Sequence, residues 1–560
     1  EAMGTTGYYD FFWKNGISNA INAPMLNRAL QDSLNPFYNN STHWYRQNYR
    51  TAGVINANLQ ASGGSENVRY MVGAGYYDEK GIAINTDFKR FNVLSNLTAH
   101  PAKRLRMDTQ LGLTYSDRSR GTSAGAGGSK FEGISSEAKT TSTLLPGGGA
   151  IGDLIIQKYN EISEKNQSYS LRYNIALDYE LMRNLNLRVS AGIDYNQQNQ
   201  NTFKPRALDA YTHFSSSEGT ITKDLSILNE NLLTYTYNYL DKHNLKIMLG
   251  LSFQKDQSFN NKGKAMNGPN DKIHYVGAGW GGANGLNNTG TAADPFYVSA
   301  FEYSSGFSEE RMNSYFGRLT YNYKEKYLLT ATVRYDGSSR LADGNKWHAF
   351  PSVALGWNLM RENFMQNVNA DVLSGMKLRL SWGNVGSTAI SAYQTMSRLD
   401  TGSKYLLGTN GVMGVRPGSV PDKSLGWENT ETWNIGVDFG FLNNRITGTI
   451  EWYQQNTTDL LLGVNLPSTS GYSQSYLTNR GLEFNVTTVN IAGDGLDKLS
   501  WSTDLNIFGN RNKIMNLGEG VEFDKDAGFF LGQDRYIIYS YEHDGLWQDT
   551  PEDRALAESF

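Results

Sequence analysis

YFGRLTYNYKEKYLLTATVRYD (residues 315–336) sorts by position into two residue sets. Odd positions hold Tyr315, Leu319, Tyr321, Tyr323, Tyr327, Leu329, Ala331, Val333 and Tyr335. Even positions hold Arg318, Thr320, Asn322, Lys324, Thr330, Thr332, Arg334 and Asp336. Period-two alternation puts successive side chains on opposite faces of a strand. The segment therefore predicts two strands joined at KEK (324–326), each with one apolar and one polar face. An apolar face needs something to cover it, and the chain offers no matching second layer.

The pattern recurs from end to end. Leu171, Tyr173, Ile175, Leu177 and Tyr179 oppose Arg172, Asn174 and Asp178. After LMRN (181–184), Leu185, Leu187, Val189, Ala191, Ile193 and Tyr195 oppose Asn186, Arg188, Ser190 and Asp194. Similar strands read at 54–61, 67–77, 89–98, 104–115, 231–239, 244–253, 348–358, 376–382, 431–440, 445–454, 481–489 and 499–508. Many approach ten residues or more, against roughly five or six in soluble proteins.

Connections alternate in length. Short turns read at HPAKR (100–104), LMRN, LDKHN (240–244), KEK and LNNR (442–445). Between them lie Gly-, Ser- and Asn-rich segments at 117–167, 197–225, 255–311, 384–428 and 456–479. Long loops without structure of their own are uncommon in compact domains. Falling at every second connection, they all leave one end of the sheet, which is the habit of an outer-membrane barrel. A soluble β-sandwich also alternates but lacks this asymmetry, and a propeller or β-helix would show a fixed repeat.

Composition agrees. The chain has 560 residues with 39% hydrophobic content, Tyr (34) outnumbers Phe (24), and no boundary divides it. A barrel strand is half polar, so hydropathy stays low throughout. The formal charge of −4 gives no support to a nucleic-acid surface. The absence of cysteine excludes disulfides and thiolate metal sites. No run approaches the roughly 18 apolar residues of a spanning helix, and EAMGTTGYYD is not a signal peptide.

Tyrosine placement sharpens the reading. Tyr323 and Tyr327 flank KEK, while Tyr315 and Tyr335 each lie eight residues farther along their strands. Eight residues span roughly 26 Å, or about 20 Å along the membrane normal at a tilt of about 40°. These four are expected at the two lipid-facing girdles, where an apolar ring with a polar hydroxyl belongs. Arg318, Arg334 and Asp336 then face the lumen, keeping it wet and pairing across strands. Loop aromatics Tyr275, Trp280, Phe296, Tyr297 and Tyr405 are candidates to stack on a sugar or grip a peptide.

Enzyme-like strings fail on context. Gly121-Thr122-Ser123-Ala124-Gly125 has the nucleophile-elbow spacing but lies in a Ser/Gly-rich stretch, not a strand-to-helix turn. Gly147, Gly149 and Gly152 satisfy GxGxxG without a surrounding βαβ unit. The seven histidines are scattered without HExxH or paired spacing, so neither a metal nor a cofactor is expected. The chain does not read as an enzyme.

Three blocks carry a family resemblance: GYYDEKGIAINTDFKRFNV (75–93); SYFGRLTYNYKEKYLLTATVRYDGSSR (314–340) with FPSVALGWNL (350–359); and LGWENTETWNIGVDFGFLNNRITGTIEWYQQNTTDLLLGVNLPSTSG (425–471) with NRGLEF (479–484). Together they resemble the SusC/RagA-like TonB-dependent transporters of Bacteroidetes-type outer membranes. The passage around NRGLEF is shorter than the family's pattern, and the segment after Arg340 lacks its Phe-Gly. The resemblance implies an all-β protein, a large antiparallel transmembrane β-barrel of about 22 strands with an N-terminal plug. It further implies coupling to the TonB-ExbB-ExbD complex and a SusD-like lipoprotein as lid for an oligosaccharide or peptide.

Neither plug nor TonB box is visible in this chain, and about 16 to 18 strands can be counted. The expected division is 1–50 as plug-to-barrel connection and first loop region, 51–549 as transmembrane barrel with long extracellular loops, and 550–560 as the start of a truncated C-terminal segment. DTPEDRALAESF (549–560) reads as a helix start, with Thr550 as cap and Pro551 at the first position. An open sheet would leave edges that a bilayer does not tolerate, so the chain is expected to be a fragment that does not seal alone. The rival functions are a siderophore- or cobalamin-type TonB-dependent receptor, a passive porin, and a secreted all-β adhesin or hydrolase.

Overall fold

A computed structural model describes residues 43–119, 162–206, 214–277, 286–288, 297–299, 301–407, 410–419, 424–460, 476–493, 499–517, 522–540 and 550–555, apart from isolated positions within them. The glycine strings at 121–125 and 147–152 lie outside these residues, as do Trp280 and Phe296.

The strands are β1 (Val54–Gly64), β2 (Val68–Lys80), β3 (Asp87–Ala102), β4 (Leu105–Ser119), β5 (Ser163–Met182), β6 (Leu185–Lys204), β7 (Ser216–Tyr239) and β8 (His243–Met266). They continue with β9 (Leu286–Asn288), β10 (Tyr297–Ser299), β11 (Phe301–Tyr323), β12 (Tyr327–Ser338), β13 (Trp347–Asn358), β14 (Leu373–Ser387), β15 (Arg398–Leu407) and β16 (Asn410–Ser419). The last are β17 (Glu428–Phe441), β18 (Ile446–Thr458), β19 (Tyr476–Ile491), β20 (Trp501–Asn516), β21 (Phe523–Asp524) and β22 (Phe529–Phe530). Among the described residues sixteen strands form one sheet in sequence order, with the pairs β9–β10, β15–β16 and β21–β22 set outside it. Two compact units divide the chain, one of Glu1–Leu233 with Leu251–Met312 and the other of Thr234–Gly250 with Asn313–Phe560.

Every strand expected from alternation is present, and most run longer. Residues 197–225 were expected as a loop, yet β6 extends to Lys204 and β7 begins at Ser216. Above Tyr195 the odd positions become Gln197, Asn199 and Asn201, so the apolar period ends while backbone pairing to β5 continues as far as Ser163↔Phe203. The long connections also carry hairpins of their own, β9–β10 and β15–β16, which lack an alternating face and were not foreseen.

One end of the strands has short connections, among them 65–67, 103–104, 183–184 and 324–326; the other has 120–162, 267–300, 388–427 and 459–475. We call these the turn end and the loop end. The asymmetry is incomplete: 81–86 and 339–346 are short at the loop end, and 359–372 is longer at the turn end, with two 3-10 turns (Leu359–Arg361 and Asn363–Met365). At KEK, Lys324 and Glu325 adopt φ of 51° and 56°, and the Lys326 amide donates to Tyr323 O at 2.9 Å. That is a type I′ turn, whose twist matches its flanking strands. Near the C-terminal end, residues 551, 553 and 555 are helical, and the Asp553 amide donates to Thr550 Oγ1 at 3.2 Å, the cap expected there.

The described residues contain only small buried apolar clusters, such as Phe203 with Ala265. Instead one sheet face exposes a continuous apolar layer. In the first unit it holds Leu113, Tyr173, Leu177, Val189 and Ile193, and in the second Val333, Leu355, Ile435, Ile450 and Leu482. Register makes the layer continuous, as in Val437↔Ile450↔Phe484↔Ile507. No helix among the described residues is long and apolar enough to cross a membrane, which says nothing of strands.

Candidate functional site

The apolar face is bounded towards the loop end by aromatic rows. In the first unit Tyr76, Phe91, Tyr115 and Tyr169 are register partners across β2–β5, with centroids 4.8, 6.4 and 5.1 Å apart along the row. Hydroxyls of this belt meet polar groups farther towards the loop end. Tyr76 donates to Asp78 at 2.9 Å, Tyr195 donates to Gln197 at 2.8 Å, and Gln167 donates to Tyr115 at 3.1 Å. In the second unit Trp382 and Trp433 are register partners whose indoles both donate to Glu431 Oε1, at 2.7 and 3.3 Å. Along β5 the apolar stretch runs from Tyr169 to Tyr179, ten residues or roughly 33 Å. At the usual tilt that is about 25 Å of apolar height.

The opposite face is built from ion pairs set by register. Arg172 lies across from Asp194 at 2.8 Å and Arg188 from Asp178 at 2.7 Å, while Asp108 accepts from Thr98 and Arg106. Towards the loop end Asp194, Asp224, Asp256, Ser258, Ser308 and Glu310 line a depression of about 230 Å³. Farther towards the loop end Phe203 is buried and stacks on His274 at 4.4 Å, while Arg206 holds Asp271 at 3.1 Å. Ser217 donates to His274 O at 2.8 Å, so the adjoining Tyr275 projects from an anchored segment with its ring exposed. Among the proposed ligand-gripping aromatics it alone has a described side chain. Tyr297 falls in β10 and Tyr405 in β15, but their side chains lie outside the described residues, as do Trp280 and Phe296 altogether.

In the second unit the polar face centres on Arg379. Its guanidinium donates to Asp438 at 2.7 Å and to Glu451 at 2.5 Å, and Glu451 also accepts from Asn434. A Cβ at the intervening Gly436 would stand 2.9 Å from Arg379 Nη2, so glycine there makes room for the guanidinium. No sequence motif pointed to this hub; the Arg379↔Gly436↔Glu451 register brings it together. Arg334 binds Asp336 at 2.8 Å and Ser314 at 2.7 Å, and Arg318 donates to Thr332 at 3.2 Å. Phe316 interrupts this face: Arg334 stacks over its ring at 5.0 Å, and the ring fills the space that a Cβ at Gly250 would need.

Tyr315, Tyr323, Tyr327 and Tyr335 all lie on the other face. Trp347 stacks with both Tyr315 and Tyr335, at 5.7 and 5.1 Å, at the loop end. Tyr323 and Tyr327 stack at 6.3 Å beside the turn, where Tyr327 donates to Glu362 at 2.7 Å. Glu362 further accepts from the Trp357 indole at 3.1 Å and from Lys326 at 3.2 Å. These donors, Tyr327 first, hold its carboxyl below the ordinary value of 4.5 against the opposing effect of burial. A second cluster closes the loop end of β12 and β13: Phe350 meets Trp427 edge-on at 5.2 Å, Trp427 donates to Lys346 O, and Arg340 donates to Thr388 O.

Known proteins share this construction. The family model "TonB dependent receptor-like, beta-barrel" matches residues 109–527. TonB-dependent receptor P3 of Formosa agariphila is 28% identical over 91% of this chain and 51% of its own. TonB-dependent receptor SusC of Bacteroides thetaiotaomicron is 29% identical over 86% of this chain and 49% of its own. The solved RagAB peptide transporter matches with a TM-score of 0.76 at 20% identity, over 95% of this chain and 61% of that one. The chain thus spans about half the length of the curated relatives it matches.

Proposed function

The chain belongs to the TonB dependent receptor-like β-barrel family of the outer membrane, and on that premise we propose that it builds the wall of an importer for oligosaccharides or peptides. The observation that carries this reading is the two-faced sheet. An apolar face about 25 Å high between aromatic rows suits lipid, and a face of mutually paired charges suits a wet passage. In this reading Tyr315, Tyr323, Tyr327 and Tyr335 sit at the lipid interfaces, and Arg318, Arg334 and Asp336 line the lumen.

The loop end faces outward, and the ligand is held there beneath a SusD-like lipoprotein. The TonB-ExbB-ExbD complex supplies the energy that opens the path, and the ligand then moves along the polar face. No bond in it is made or broken. Because Arg172, Arg188, Arg334 and Arg379 are already neutralised by neighbouring carboxylates, the wall at these positions offers modest hydrogen bonds rather than a strong trap. The acidic depression around Asp224 can accept from sugar hydroxyls or a peptide ammonium.

The test is uptake of labelled oligosaccharides and peptides by cells carrying the full-length protein, with TonB or the neighbouring SusD-like lipoprotein removed in turn. Import of either ligand class that is lost in both deletions supports the proposal. Uptake that persists without TonB points to a passive porin, and uptake that needs TonB but not the lipoprotein points to a siderophore-type receptor.

A further inference from the structure

Some of the charges that stand above the aromatic rows on the apolar side are paired. Glu309 is held by Lys255, Gln257 and Arg311, and Glu431 by two indoles. Strands β19 and β20 are different. Arg480 and Arg511 are direct cross-strand partners, and Lys513 sits one step nearer the loop end on the same face. Like charges set directly opposite each other destabilise a sheet. Among the described residues no carboxylate offsets them: all three side chains are exposed and have no hydrogen bond or ion pair there.

Register fixes their height. Trp382, Trp433, Gln454, Arg480 and Arg511 form one partnered row across β14, β17, β18, β19 and β20. The two arginines therefore continue the tryptophan row at the level where an apolar layer gives way to headgroups. Below them lie Trp452, Leu482, Phe484 and Ile507. Gly509, between Ile507 and Arg511 on the outermost described strand of the sheet, lines a depression of about 620 Å³ with Trp452, Leu482, Arg480, Arg511 and Lys513.

We propose that Arg480, Arg511 and Lys513 form a docking site for the phosphate-bearing headgroup of an outer-leaflet lipid, whose chains run down the apolar surface beside Gly509. Charge complementarity and continuity with the lipid-facing layer identify the occupant: a cationic cluster directly above an apolar slope fits an anion attached to hydrocarbon. Two forked guanidiniums can bind phosphate oxygens bidentately, with the ammonium as a third point of charge. The bound phosphate would relieve the Arg480–Arg511 repulsion. The assignment to the outer leaflet rests on the loop end facing outward, as proposed above.

The test uses the full-length protein in detergent micelles, titrated with phosphorylated lipid A, dephosphorylated lipid A, phosphatidylethanolamine and inorganic phosphate. The expected result is preferential retention of phosphorylated lipid A. The triple variant R480Q/R511Q/K513Q should lose roughly 100-fold in that affinity, about five-fold per cation, while R480K/R511K retains most of it. Heat-modifiable gel migration verifies that each variant is folded. Equal lipid A binding by wild type and the folded triple variant overturns the site, as does equal affinity for inorganic phosphate. Preference for phosphatidylethanolamine, lost in the same triple variant, keeps the phosphate site but overturns its outer-leaflet place, and with it the proposed orientation.

Discussion

Arg379 shows how a single side chain can fasten three strands. It bridges β14 to β17 and β18 through Asp438 and Glu451. R379M leaves two carboxylates facing each other, and we expect a loss of about 2 kcal/mol, read as an earlier denaturation midpoint of the folded protein in micelles. G436V should act in the same direction by displacing the guanidinium. Glu362 gives a pH-dependent counterpart at the turn end. Its carboxyl is held below 4.5 in the folded state, so its contribution is fully present above that value and is lost as pH falls through the depressed one. Wild type should therefore melt higher than E362Q at pH 7, and the difference should close in acid below 4.5. Neither residue stood out in the sequence. Alternation assigns a side chain to a face, but its partners depend on register with strands up to 72 positions away.

The hairpin is the element the sequence describes best. Alternation on both sides of KEK located β11, β12 and their turn, yet it did not reveal that Lys324 and Glu325 adopt left-handed backbone. Asn tolerates that region better than Lys, so K324N should add up to about 1 kcal/mol of stability, less the loss of the Lys324–Tyr323 cation–π contact, read as a higher denaturation midpoint. K324P should cost more than about 3 kcal/mol, because the Lys324 amide donates to Lys242 O and proline cannot adopt positive φ. Strand ends were less legible than strand centres. From Asn196 to Thr202 both faces of β6 are polar, so periodicity falls silent while the hydrogen-bond ladder continues. The hairpin β15–β16 was missed for a different reason, since its apolar residues, such as Tyr405, Leu406 and Leu407, follow one another without alternation. The basic row at Arg480 and Arg511 was overlooked because two isolated arginines become a pair only through the β19–β20 register.

At the scale of the whole molecule, the two faces should be separable by chemistry. Single cysteines at Val333 and Tyr335 should react with a lipid-phase probe, and those at Thr332 and Arg334 with a water-soluble one entering the lumen. Loss of this alternation in the reconstituted full-length protein would refute the assignment of faces. The alternating pattern made the fold class readable, because exposed apolar positions are unusual for a soluble protein and expected against lipid. The aromatic rows have a consequence for the bilayer itself. A spanning helix of the wrong length can tilt, whereas strands locked side by side by register cannot slide to change the height of their apolar band. Hydrophobic mismatch must then be absorbed by the lipid, which thins or thickens around the protein at a modest cost per ångström. Rows such as Tyr76–Phe91–Tyr115–Tyr169 would thus act as a fixed gauge, drawing in those neighbouring lipids whose length already fits.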